Sequence, residues 1–276
     1  MARPIRLPRI SAPLLLFCTM LLSSGCNKVT EIAAQPVTLR VAGSTAMLPV
    51  LTDLGAAFQA AHPNVSVVVY GGGSEIGLQA LDEGTADLAA VSWEIGALTE
   101  ADGLRSIPIA RDGLTLIVNQ KNHVANLTIL QLRALYRGET LDWQGVGGSA
   151  SEPVVISRED GSGDRAAFEV LVMGGQRVTL NALMLPTAQT VADYVAGHPD
   201  AIGYVSMAQR DESVRVVPIE GISPSPDGVR SGAYHLNRVL SLVLPRAASP
   251  AAQAFVDFAL SPAGQRIIAV HHVSLR

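Results

Sequence analysis

From Val37 onward, short apolar runs alternate with segments in which apolar residues return at helical spacing. Val37–Ala42, Val65–Tyr70, Leu88–Ser92, Val154–Ile156, Ala201–Val205, Val214–Ile219 and Leu240–Leu244 have strand length and are rich in β-branched residues. Ile107–Ala110 and Leu114–Val118 predict two more strands on either side of Arg111-Asp112-Gly113. Leu51, Leu54, Phe58 and Ala61 mark one face of a helix over Ala46–Ala61, with Pro49 in the first turn, where its missing N–H costs little. Further helices are predicted over Ile76–Asp82, Leu127–Tyr136, Thr190–Ala196, Ala251–Leu260 and Pro262–Val270, and over a segment opening near Asp164 that carries Phe168, Leu171 and Val172. Thr128 and Gln131 have the spacing of a capping box. Gly221–Gly228, rich in Pro, Ser and Gly, reads as the chief linker. Strands alternating with helices predict an α/β fold. At 276 residues the chain is near the size at which one core divides into two.

The residues before Val37 have a different pattern. Arg3, Arg6 and Arg9 precede an apolar run, Leu14 to Leu22, that is short for a membrane span. The run ends in Leu22-Ser23-Ser24-Gly25-Cys26, which resembles a bacterial lipoprotein processing site with Ser23 where leucine is usual. Residues 1–25 are therefore read as an export signal, Cys26 as the lipidated first residue and 26–36 as a tether. Removing 1–25 takes away three arginines and no acids, so the formal charge moves from −4 to −7. Cys18 leaves with the signal, Cys26 is then the one thiol, and the exported fold has no intramolecular disulfide. Charged residues are 16% of the chain with no basic run, which argues against nucleic acid as a partner.

Candidate chemistry gathers where strands give way to helices. Gly43-Ser44-Thr45 follows the first strand, Gly71-Gly72-Gly73-Ser74 the second, and Ser92-Trp93 the third. Val154–Ile156 leads through Ser157-Arg158 to Gly161-Ser162-Gly163-Asp164 at a helix start. N–H groups in the first turn of a helix have no intrahelical partner, and the macrodipole places partial positive charge there. Several such junctions at the carboxyl ends of strands suit an anion held by dipoles and hydroxyls. Arg158 adds a planar fork of donors matched to a tetrahedral oxyanion, although a surface arginine is the plainer reading of that residue alone.

Other glycine motifs fail. Gly72 and Gly77 have P-loop spacing, but Leu78-Gln79 stand where lysine and a hydroxyl residue are required. Ile76 occupies the third glycine of a dinucleotide fingerprint begun by Gly71 and Gly73. Neither Ser74 nor Ser162 sits in a Gly-x-Ser-x-Gly elbow. The six histidines do not form a metal set, since His271-His272 is an adjacent pair without ligand-spaced partners, and they are read as surface or terminal residues. Trp93 and Trp143 are read as packing. No cofactor, metal or enzymatic activity is expected.

Taken together, Gly43-Ser44-Thr45, Gly72-Gly73-Ser74 with Ile76-Gly77, Asp112-Gly113, Trp143 with Val146-Gly147-Gly148, and Arg158 with Gly161-Ser162-Gly163 resemble the phosphate ABC-transporter substrate-binding proteins, the PstS-like periplasmic binding proteins. Ala201–Val205 and Tyr234 with Arg238 extend the resemblance to nearly all of Val37–Val270. It implies a type II two-lobed α/β fold, each lobe a sheet flanked by helices, with a hinge between them. The lobes are expected at 37–116 plus 226–276 and at 117–225. The resemblance further implies a periplasmic, monomeric binding protein that delivers inorganic phosphate to an ABC permease. Ser44, Thr45, Ser74 and Ser92 would come from one lobe, and Arg158, Ser162, Gly163 and Asp164 from the other. Two departures bear on the ligand: Asp164 stands where threonine is usual, and Trp93 where many relatives have arginine. Asp164 is read first as an N-cap or the partner of Arg165, and alternatively as an acceptor for a protonated oxyanion. Another oxyanion (tungstate, molybdate or sulfate) or a non-transport surface lipoprotein are the competing readings.

Overall fold

The structure is a computed structural model that describes residues 35–93, 103–209 and 212–275. Strand β1 (Val37–Gly43) runs parallel between β2 (Val65–Tyr70) and β3 (Leu88–Val91). β3 pairs antiparallel with β9 (Asn237–Pro245), and β9 with the first part of β4 (Leu104–Asn119). One face of this sheet buries Leu39, Val41, Leu88 and Leu242 against Leu51, Leu54 and Phe58 of α1 (Leu48–Ala61) and Phe255 of α7 (Pro250–Leu260). Ile268 of α8 (Pro262–His271) joins them. The opposite face places Ala89, Val91 and Val243 against Leu81 of α2 (Ser74–Asp82). Because side chains alternate along a strand, β3 serves both cores and is buried throughout.

From Leu114 onward β4 changes partners. It pairs with β7 (Ala201–Ser206) on one side and β8 (Val214–Val217) on the other, both antiparallel. β7 then runs parallel to β5 (Val154–Arg158), and β5 to β6 (Leu183–Leu185). A second core forms here, in which Leu116, Leu132, Tyr136, Trp143, Phe168 and Tyr204 pack together. Tyr136 and Tyr204 belong to α3 (Ile129–Tyr136) and β7, and Phe168 to α4 (Gly163–Phe168), which continues as a π turn over Glu169–Met173. Helix α5 (Ala188–Gly197) covers the other face through Val191 and Val195 against Ile117, Ile156 and Val205. The molecule is a two-lobed α/β fold whose lobes share the continuous strand β4.

Several expectations need correction. The two strands expected on either side of Arg111-Asp112-Gly113 are one: β4 runs through it for 16 residues, with Asp112 opposite Arg238 and Gly113 opposite Asn237. The polar residue is tolerated inside the sheet because Asp112 is ion-paired there. Part of the expected Gly221–Gly228 linker enters helix α6 (Pro226–Ser231), capped by Ser225, which accepts from Gly228 N–H. The helix expected from Ala46 begins as a 3-10 turn over Thr45–Met47. His272 is buried, 7% exposed, and not a surface residue. The capping box of α3 forms as expected, with Thr128 accepting from Gln131 N–H and Gln131 from Thr128 N–H. The signal segment 1–25, Cys26 and the tether up to Ala34 lie outside the described residues.

Candidate functional site

Three hydroxyls meet at the carboxyl end of the first sheet. Ser44 follows β1, Ser92 follows β3, and Ser74 opens α2 after the Gly71–Gly73 turn. The pairing of β1 with β3 brings Ser44 and Ser92 side by side, and Ser44 Oγ donates to Ser92 Oγ at 2.8 Å. Ser74 Oγ lies 3.5 Å from Ser92 Oγ and accepts from Ser92 N–H at 3.2 Å. All three are buried, none more than 2% exposed. Thr45 is half-buried in the 3-10 turn and instead lines a cavity of about 370 Å³ with Leu48, Pro49, Thr187 and Ala188.

The second lobe presses Gly163 onto these hydroxyls. A Cβ at Gly163 would lie 1.9 Å from Ser92 Oγ, 2.8 Å from Ser74 Oγ and 3.2 Å from Ser44 Oγ. Nearby, a Cβ at Gly73 would lie 1.7 Å from the Gly161 carbonyl oxygen. Glycine is therefore required on both sides of the contact. Ser162 is the N-cap of α4, accepting from Arg165 N–H at 3.4 Å.

Behind this contact runs a chain of buried charge. Arg158, at the end of β5, is 2% exposed. It donates through Nε to Leu185 O, through Nη2 to Pro186 O, and through Nη1 to Asp164 Oδ2 at 3.0 Å. Asp164 Oδ1 accepts from Arg238 Nη2 at 2.5 Å, and Arg238 Nη1 donates to the Gly163 carbonyl at 3.1 Å. Arg238 also holds Asp112 Oδ2 through Nε at 3.0 Å and Nη2 at 2.7 Å. Ser206 Oγ donates to Asp112 Oδ1, and His272 Nδ1 stands 3.6 Å from the same oxygen. Burial by itself would raise the Asp112 carboxyl, but Arg238 and His272 hold it down at about 2. Burial likewise opposes the Arg238 charge, yet Asp164 and Asp112 raise its pKa. The formal charges of Arg158, Arg238, Asp112 and Asp164 cancel. Such pairing allows ions to be buried, since an unpaired charge there would be costly.

The structure therefore gathers Ser44, Ser74, Ser92, Arg158, Ser162, Gly163 and Asp164 around one contact between the lobes, with Thr45 at its edge. Asp164 is neither the N-cap, a role Ser162 takes, nor the partner of Arg165, which pairs with Asp160 and Glu169. Its side chain turns inward to Arg158 and Arg238. Arg158 is buried, with three of its five guanidinium N–H groups on Leu185, Pro186 and Asp164, so the surface reading fails. Trp143 packs in the second core with its indole donating to Asp200 O, and Trp93 packs beside Leu78 and Leu104. Sequence reasoning assigned no role to Arg238 or Asp112, which are 126 positions apart and meet only through the β4–β9 register. Among the described residues, no three His, Cys, Asp or Glu side chains are grouped to hold a metal.

Residues 29–263 match the model of the PBP superfamily domain. A solved structure from Clostridium perfringens, a phosphate ABC-transporter substrate-binding protein with bound phosphate, superposes with a TM-score of 0.81 at 32% identity over 87% of this chain and 100% of its own. The chain belongs to this PBP family of transporter substrate-binding proteins. The PBP fold is shared as well with an ABC-type phosphate transport receptor from Vibrio cholerae, at a TM-score of 0.77 and 29% identity over 84% of this chain and 98% of the other. By sequence, the phosphate-binding protein PstS of Bacillus subtilis is 26% identical over 83% of this chain and 77% of its own length. In the PBP arrangement the hydroxyl cluster and the Gly163 turn face each other across the line where the two lobes meet.

Proposed function

We propose that the chain binds inorganic phosphate between its two lobes and delivers it to an ABC importer. The observation that carries the reading is the convergence of Ser44, Ser74 and Ser92 of one lobe on Gly163 of the other, beside the α4 N-terminus and Arg158. Hydroxyls and first-turn N–H groups offer hydrogen bonds to an oxyanion without a net positive pocket. The names of the relatives in B. subtilis, V. cholerae and C. perfringens support phosphate as that anion. Ser44, Thr45, Ser74 and Ser92 are assigned to the ligand from the first lobe, and Arg158, Ser162 and Gly163 from the second. Asp164 contributes by fixing Arg158.

Gly163 touches the serine hydroxyls directly, so an oxyanion enters only when the lobes part. We assign the bending to Gly113–Leu114, where β4 passes from one sheet to the other, and to Leu236–Asn237, where the chain enters β9. That Tyr234 and Leu236 pack in the second core supports a second crossing beyond residue 236 in place of the expected 226. Closing the lobes buries the anion and presents a surface spanning both lobes to the permease. The protein is read as exported, monomeric and anchored through a lipid on Cys26. No helix among the described residues is long and apolar enough to cross a membrane. It binds its ligand and performs no chemistry on it.

Calorimetric titration of the protein, freed of co-purified anion, with phosphate, sulfate and tungstate tests the reading. Phosphate is expected to bind at least about 100-fold more tightly than the others, roughly the work of two charge-assisted hydrogen bonds. Preference for another oxyanion would replace the ligand, and no binding at all would favour a non-transport surface lipoprotein.

A further inference from the structure

Arg238 lies on β9 in the first-lobe sheet, opposite Asp112 and one pair before the last β4–β9 partners, Gly113 and Asn237. From there its guanidinium reaches across to the first turn of α4 in the second lobe, where it binds the Gly163 carbonyl and Asp164. This is the same turn whose glycine meets the three serine hydroxyls. Four of the five N–H groups of the guanidinium are in use: Nε on Asp112, both Nη2 hydrogens on Asp112 and Asp164, and one of Nη1 on Gly163. Asp112 is in turn fixed by Ser206 of β7. A planar fork held this way has one orientation, and little donor capacity is left for a ligand.

We propose that Arg238 is the positioning residue that latches the second lobe over the anion site. Parting the lobes moves α4 away from β9 and breaks the bonds to Gly163 and Asp164, while the bonds to Asp112 stay within one pair of strands. The guanidinium thus has two arrangements, and the closed one returns the Gly163 turn to the hydroxyls. The inference rests on the phosphate reading for the identity of its ligand, and on the geometry alone for the latch.

The test measures phosphate affinity by calorimetry, and the radius of gyration by X-ray scattering with and without phosphate, in wild type and Arg238→Lys. An ammonium cannot bridge two carboxylates and a carbonyl in the plane of the fork, so the dissociation constant is expected to rise at least about tenfold. Phosphate-induced compaction is expected to shrink as well. The double variant Asp112→Asn with Arg238→Gln removes both charges of the hinge pair, leaves Asp164 on Arg158, and keeps the test open should Arg238→Lys not fold. A folded variant with wild-type affinity within about twofold and full compaction overturns the latch, whatever its loss of stability. Should wild type bind no phosphate, the ligand assignment falls alone. The latch is then read without ligand, where the variants must have a larger radius of gyration than wild type, and equal radii overturn it.

Discussion

Both oxygens of Asp164 are taken by arginines, Oδ2 by Arg158 and Oδ1 by Arg238. A carboxylate so engaged serves the arginines first, which separates two roles that a residue at a helix start could have. Replacing Asp164 with Asn is therefore expected to weaken phosphate and sulfate together, leaving their ratio within about twofold by calorimetry. A ratio that collapses would instead make Asp164 an acceptor for the protonated anion. Asp112 carries a pH signature. Its folded value of about 2 lies below the ordinary 3.8, so the unfolded chain takes up its proton first. The resulting stability, on the order of 2 kcal/mol, is fully present above about pH 4 and lost as pH falls toward 2. Denaturant midpoints measured across that window should fall in wild type and fall less in Asp112→Asn.

Among the elements, those whose determinants lie within a few residues were legible. The α3 capping box needs only Thr128 and Gln131, three positions apart, and both of its bonds form. Thr128→Ala is expected to cost about 1 kcal/mol of unfolding free energy, measured by denaturant titration, with phosphate affinity unchanged. The strand–hydroxyl junctions at Ser44 and Ser74 were legible for the same reason, a short apolar run, then a small polar residue, then a helical period, and Ser92 was legible as the polar end of an apolar run. β4 was not. Arg111-Asp112-Gly113 has the composition of a turn, and only the facing Arg238 makes it strand interior. β6 was missed because its three residues, Leu183–Leu185, are too few to show a period.

At the scale of the whole molecule, closure depends on bare backbone at the meeting of the lobes. Gly73 has a φ of +109°, in the region that favours glycine, and a Cβ there would lie 1.7 Å from the Gly161 carbonyl. Gly73→Ala is expected to hold the lobes apart, increase the radius of gyration in the presence of phosphate and weaken phosphate about 100-fold, a loss of roughly two hydrogen bonds. Unchanged compaction would show that the lobes close without this contact. The sequence by itself determined the α/β alternation, the hydroxyl and glycine residues at the strand ends and the arginine before the Gly-Ser-Gly turn, because each depends on neighbours a few positions away. It also carried the family resemblance. Only the tertiary structure decided which partners Arg158 and Asp164 take, that Arg238 and Asp112 lie behind them, and where the strands cross between lobes. Those outcomes depend on which side chains a long-range strand register buries together, where every charge must find its opposite.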